Sequence, residues 1–192
     1  IIHAMSLHWA DDPVGQLVQS RLAMQPDGHF LCACFGGATL NELRSSLAQA
    51  ESDLTGGLSP RVAPMSDIRD LGGLMQRAGF ALPVVDLRQL RVTYPNLKSL
   101  IGDLRMMGET NALAARSRTI PPRRLFASTE EVYRDNFSKD GKLVATFDIA
   151  FLSGWVPAPG QQTPLRPGSA RSRLADALRV DEIKLPDNDS SR

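Results

Sequence analysis

The chain has 192 residues, 42% hydrophobic and 22% charged, with a net charge of +1. That length suffices for one domain with a real core, and so small a net charge exerts no global pull toward nucleic acid or a membrane surface. No apolar run reaches the roughly 18 residues that a spanning helix needs, which argues against a membrane span.

Ile1–Met5 reads as a buried strand already under way, with Ser6, Leu7, His8 and Trp9 at its mouth. Within "ADDPVGQLVQSRLAMQPDG", Asp12 is placed to cap a helix and Pro13 suits its first position. Val14, Leu17, Val18 and Leu22 form its apolar stripe, and "QPDG" is a turn. "HFLCACF" is apolar on both alternating faces apart from His29, as in a strand covered on both sides in a parallel sheet. Strand, helix and strand with short joins make a crossover unit. Cys32 and Cys34 are i, i+2 neighbours on that strand, poorly placed for a disulfide. They read as small apolar core residues in a reducing compartment.

Gly36–Gly37 ends this strand, and Thr39-x-x-Glu42 reads as a capping box for a helix whose buried face is Leu40, Leu43, Leu47 and Leu54. The loop "TGGLSPRVAP" leads to a helix over "SDIRDLGGLMQRAGF", stopped by Gly79. "ALPVVDLRQLRVTY" is a long extended stretch, bent or bulged around Pro83 and Asp86. Asn96 is placed to cap a helix with the face Leu97, Leu100, Ile101 and Leu104. "STEEVYRDNF" predicts a short helix beginning at Ser128-x-x-Glu131, and "KLVATFDIAFLSGWV" is the last strand. Beyond Pro157 the Pro/Gly/Ser/Arg-rich chain is expected to be disordered, with at most a helical turn in "RLADALRV".

The order of elements reads as the second half of a doubly wound α/β domain. No G-x-G-x-x-G follows a strand, and the pairs Gly36–Gly37, Gly56–Gly57 and Gly72–Gly73 read as turns or close packing rather than phosphate cradles. The three histidines show no metal-ligand spacing.

"SLHWADDP", "PDGHFLCACFGGATLNELRSSLAQAE", "GGLSPRVAP", "LGGLMQRAGFALPVVD", "VTYPNLKSLIGDLRMMGETNAL" and "ATFDIAFLSGW" follow one another in order. Together they resemble the C-terminal part of a class I S-adenosylmethionine-dependent methyltransferase. The nearest subgroup is that of the methyltransferase-like mitochondrial complex I assembly factor and its bacterial relatives. The likeness covers about residues 1–156. A more distant likeness is to the malonyl-carrier-protein methyltransferase of biotin synthesis.

The resemblance implies an α/β, Rossmann-like fold with strands in the order 4-5-7-6, Ile1–Met5 being strand four. Lid helices would be inserted at about residues 96–138. The N-terminal cofactor half, with its glycine-rich loop, would be absent, so the chain is expected to be a truncated piece that lacks activity alone. An exposed strand 1–5 would then favour self-association.

S-adenosylmethionine is the implied cofactor of the whole protein, bordered here by Met5, Ser6 and Leu7. His8, Trp9, Phe35, Gly36, Arg61, Tyr94, Asn111 and Arg116 are the implied substrate side. For His8 and Trp9 an ordinary packing role stands beside the functional one; Arg61, Tyr94, Asn111 and Arg116 otherwise read as surface or loop anchors. The cluster Arg116, Arg118, Arg123 and Arg124 reads as a solvated face or as a dock for an acidic partner.

The implied partner is a respiratory complex I subunit, modified on an arginine, or an acyl carrier protein, with no nucleic acid and no membrane span. The compartment is bacterial cytoplasm or mitochondrial matrix. A non-catalytic binding module is the alternative from another class. No catalytic residue follows from the sequence.

Overall fold

A computed structural model describes residues 1–162, 169 and 174–180. The chain divides into two units, 1–159 and 160–192. The first contains β1 (Ile2–Ala4), a 3-10 turn (Leu7–Trp9), α1 (Pro13–Leu22), β2 (His29–Gly36), α2 (Asn41–Thr55), α3 (Ile68–Arg77), β3 (Ala81–Tyr94), α4 (Leu97–Met106), α5 (Arg123–Phe137), β4 (Ser138–Lys139) and β5 (Lys142–Trp155). In the second unit, α6 (Leu174–Leu178) lies where the sequence predicts a helical turn. The rest of the disorder expected there falls largely outside the described residues.

The sheet order is β1-β2-β5-β3, with β4 as a short hairpin partner of β5. β1 runs parallel to β2, whereas β5 is antiparallel to both β2 and β3. A parallel pair cannot close through a tight turn, so α1 makes the return from β1 to β2. β2 is therefore half in a parallel and half in an antiparallel ladder, not in an all-parallel sheet as its composition suggests. The bulge in β3 falls between Ala81 and Val84, where Pro83 lacks an N–H for the ladder, and the register runs on evenly through Asp86.

Alternation along the strands creates two cores. Phe30, Cys32, Cys34, Ala150 and Leu152 meet Leu17 of α1 and Leu71, Leu74 and Met75 of α3. On the other face Phe35, Leu143, Ala145 and Phe147 meet Leu43 and Leu47 of α2, Leu97, Leu100 and Leu104 of α4, and Tyr133 of α5. Each fully buried large side chain contributes about 1.5–3 kcal/mol, so Met75→Ala is expected to cost about 2–5 kcal/mol. Ser46, Ala50 and Thr129 are wholly buried small residues, which lets α2 and α5 approach closely.

Ile1 and Ile2, expected to be buried, are 44% and 76% exposed. β1 is an edge strand among the described strands, and no helix of the described residues covers the second face beside it, where Leu31 and Phe151 are also exposed.

Local end signals act where their partners are local. Asp12 accepts from the Gly15 N–H and Pro13 opens α1; Asn96 accepts from the Ser99 N–H. The capping box expected at Thr39 and Glu42 does not form. Leu40, at φ +54°, precedes α2 without a side-chain cap. The Thr39 hydroxyl donates to the Gly36 carbonyl and accepts from the Asp148 N–H, and Glu42 accepts from the N–H and hydroxyl of Thr146. α5 begins at Arg123 rather than Ser128, because Pro122 (φ −67°) already sets the chain for a helix.

Candidate functional site

The carboxyl ends of β1 and β2 open toward a cleft of about 710 Å³, the position where ligands bind in open α/β sheets. Its walls come from the 3-10 turn, α2, the loop at 61–65, α4 and the loop after α4. Leu40, Leu43, Leu47, Ile101, Leu104 and Phe126 make it largely apolar, and Asp11, Arg105 and Glu109 bring charge to it.

His8 and Trp9 reach this cleft because β1 breaks at Met5 (φ +52°) and the chain coils into the 3-10 turn. The His8 ring is almost fully buried against Phe35, with centroids 5.1 Å apart. The Phe35 N–H donates to His8 Nδ1 at 3.4 Å, which assigns the hydrogen to Nε2. Nε2 donates to Glu109 Oε1 at 3.0 Å, and the indole Nε1 of Trp9 donates to the same oxygen at 3.3 Å. Both ring nitrogens of His8 are thus engaged, so in this arrangement it orients its neighbours. Trp9 stays 40% exposed.

Glu109 is the residue that the sequence reading missed. A Schellman motif holds it: Gly108 turns left-handed at φ +84°, its N–H bonds to the Arg105 carbonyl, and the Glu109 N–H bonds to the Leu104 carbonyl at 2.8 Å. Helix α4 therefore aims Glu109 back at the 3-10 turn. The motif "MMGETN" carried the signal, a glycine stop followed at once by an acid. Among the described residues Glu109 Oε2 has no partner.

The other expected site residues divide. Arg61 lines the cleft, but its guanidinium is held by Glu51 through Nη2–Oε1 at 2.5 Å and Nε–Oε2 at 3.2 Å. That guanidinium, with help from the Ser59 N–H, holds the Glu51 carboxyl below its ordinary range against the opposing effect of burial. Asn111 also lines the cleft and ties two loops together, donating to the Pro60 carbonyl and accepting from the Leu113 N–H. Arg116 anchors its own loop by donating to the Leu113 carbonyl.

Tyr94 is buried in the second core. Phe35 lies beside His8, while Gly36 passes behind it against Ser66 and Ala150. Met5 is half-buried, Ser6 is exposed, and the Leu7 side chain points into the first core.

The resemblance implies adenosylmethionine at Met5, Ser6 and Leu7. Met5 and Ser6 stand at the strand end; the first acid after β1 is Asp11, on the cleft wall, and the first after β2 is Glu42, already taken up by Thr146. The space beside Gly37 is filled as well: a Cβ there would stand 2.5 Å from Asp148 Oδ2, which accepts the Ala38 N–H. The described residues do not by themselves fit the whole cofactor.

The arginine hydroxylase NDUFAF5 of rat is 38% identical over 183 residues, covering 95% of this chain and 53% of that protein. The human protein is 36% identical over 187 residues, covering 97% and 54%. The malonyl-[acyl-carrier protein] O-methyltransferase of Laribacter hongkongensis is 31% identical over 165 residues, covering 86% and 53%. The chain is homologous to both groups. It spans about half the length of the curated relatives it matches. No family model matches. Among solved structures, the YcgJ protein of Bacillus subtilis superposes with a TM-score of 0.47 at 12% identity, covering 82% of this chain and 64% of that one.

The homology spans the 3-10 turn, the cleft and the Glu109 loop together, since the aligned share reaches 97% of the chain. Of the three charged side chains Asp11, Arg105 and Glu109, the two acids outnumber the base, and the remaining cleft guanidinium, Arg61, is neutralised by Glu51. A free carboxylate oxygen beside an exposed indole suits a planar cation, which can bond to the one and stack on the other.

Proposed function

We propose that this chain forms the substrate side of an adenosylmethionine-methyltransferase-like protein that takes an arginine of another protein into the cleft. The observation that carries the reading is the free Oε2 of Glu109 beside the exposed ring of Trp9. A guanidinium matches a carboxylate in a planar fork and tolerates an aromatic face. The reading agrees with the arginine hydroxylases among the relatives, and with a respiratory complex I subunit as the polypeptide that carries the arginine. The sheet order β1-β2-β5-β3 supports reading these strands as 4-5-7-6 of the methyltransferase fold. Adenosylmethionine would lie against Met5 and Ser6, with its other contacts from outside the described residues. In this reading α4 and α5 form the lid.

The second reading is carboxyl methylation of a malonyl thioester on a carrier protein, as in the other relatives. Arg105 favours it, since its side chain reaches the cleft and has no ion-pair partner among the described residues. Mass spectrometry of products from the intact protein separates the two. One added oxygen on an arginine supports the first, and a methyl ester on the thioester supports the second. If calorimetry detects neither adenosylmethionine nor arginine-peptide binding, both fail, leaving a non-catalytic binding module.

A further inference from the structure

Helices α4 and α5 line a second depression, a groove of about 480 Å³. Apart from the buried Leu97, its wall on α4 is Lys98, Ile101, Gly102 and Arg105; on α5 it is Arg123, Phe126, Ala127 and Glu130. Both sets follow i, i+3, i+4, i+7, so each is one continuous helix face. The two faces mirror each other: a cation at the start, one large apolar residue, one very small residue, then a charge. Gly102 and Ala127 open the floor, and a Cβ on Gly102 would meet nothing within 4 Å. Another chain can therefore approach the α4 backbone closely.

The charges in this groove are one-sided. Glu130 is occupied on both oxygens, Oε1 by Arg134 at 2.7 Å and Oε2 by the Leu97 N–H at 3.3 Å. Lys98, Arg105 and Arg123 have no side-chain partner among the described residues. The rim thus carries three free cations and no free acid around an apolar floor. The groove is also continuous with the cleft, because Ile101, Arg105 and Phe126 line both.

We propose that this groove docks an acidic segment of the same polypeptide whose arginine enters the cleft. One apolar side chain lodges among Ile101, Gly102, Phe126 and Ala127, and flanking carboxylates face Lys98, Arg105 and Arg123. The inference rests on the arginine reading of the cleft. Charge complementarity selects the segment and speeds its encounter, while the apolar anchor fixes its register.

The test is fluorescence anisotropy of the chain with a labelled synthetic peptide. The peptide carries one arginine and, a few residues away, a leucine between glutamates. Replacing the glutamates by glutamines is expected to weaken binding roughly tenfold, and added salt is expected to narrow the difference. Ala127→Leu, at an exposed helix position, is expected to fill the floor and weaken binding of the leucine peptide but not of one with glycine there. Arg123→Glu is expected to weaken the glutamate peptide and spare the glutamine one.

If neither the glutamine peptide nor either variant changes the affinity, or no peptide binds, the groove proposal is overturned, whatever citrulline does in place of arginine. If the groove variants act as expected but citrulline binds as well as arginine, the groove stands and the arginine reading fails. Binding of an acyl carrier protein at the groove, with both peptides excluded, would overturn the choice of partner.

Discussion

His8 Nε2 and Glu109 Oε1 stand 3.0 Å apart although 101 residues separate them in the chain. This bond joins the end of β1 to the loop after α4 across the mouth of the cleft. The Trp9 indole bonds to the same oxygen, so one carboxylate sets the position of both aromatic rings. Glu109 is therefore a positioning group for His8 and Trp9 and, in the proposed arginine reading, the acceptor for the cation.

Glu109→Gln keeps the shape and one acceptor oxygen but removes the charge. A hydrogen bond to a charged group contributes about 1.5–3 kcal/mol, so affinity for an arginine peptide is expected to fall roughly tenfold to a hundredfold. Affinity for the citrulline peptide should barely change. Isothermal calorimetry on the two peptides decides it, and an unchanged arginine affinity would remove Glu109 from the site.

Two glycines of α4 and its end should respond to alanine with opposite sign. Gly108 stands at φ +84° with open space around it, so alanine there meets no clash and pays only backbone strain. That strain is about 1–2 kcal/mol, and Gly108→Ala should also weaken peptide binding by tilting Glu109. Gly102 lies inside the helix with ordinary φ and open space, so Gly102→Ala should stabilise by about 0.5–1 kcal/mol. Urea unfolding of both variants checks the signs; equal signs would contradict the assigned conformations.

What the sequence disclosed depended on how far away the deciding partner lies. Asp12, Pro13 and Asn96 were legible because each acts within three residues. The succession of elements along the chain and the covered faces of α2 and α4 were legible from periodicity, and the family resemblance supplied the sheet topology. On α1 Leu17 is buried as expected, but Leu22, placed in the same stripe, is 63% exposed. Thr39 and Glu42 misled because β5 claims their side chains from 104 and 109 residues away. Tyr94 was read toward the substrate, yet as the last residue of β3 it alternates into the core. Glu109 escaped notice because its worth comes from His8 and Trp9, which local pattern does not connect to it.

Glu51 and Arg61 hold the 56–61 loop against α2, with the Glu51 residue only 6% exposed. Because folding lowers the Glu51 pKa, chiefly through Arg61, the pair's contribution is present above the ordinary carboxylate range. It is lost as pH falls through the lowered folded value. Glu51→Gln should cost about 1–3 kcal/mol at neutral pH, and the gap to the natural chain should close in acid. Urea midpoints measured from neutral to acid pH test this. A gap that stays constant means that Glu51 is not charged in the folded protein.

The chain has only two tyrosines, and folding raises the pKa of both. For Tyr94 the cause is burial, then the nearby Asp103 carboxylate; for Tyr133 it is burial, then Glu42 and Tyr94. Tyr133 also donates its hydroxyl to the Val144 carbonyl at 2.9 Å, a bond that needs the neutral form. A raised folded pKa stabilises fully below the unfolded value and loses that contribution as pH rises through the folded one. The folded protein should therefore show little tyrosinate absorbance where free tyrosine ionises, at about pH 10. Both signals should instead appear together with the loss of far-ultraviolet helix signal. Tyr133→Phe should cost about 1 kcal/mol for the lost hydrogen bond and leave only the Tyr94 signal. A folded protein that ionises both tyrosines in the ordinary range would refute the packing of α5 against β5.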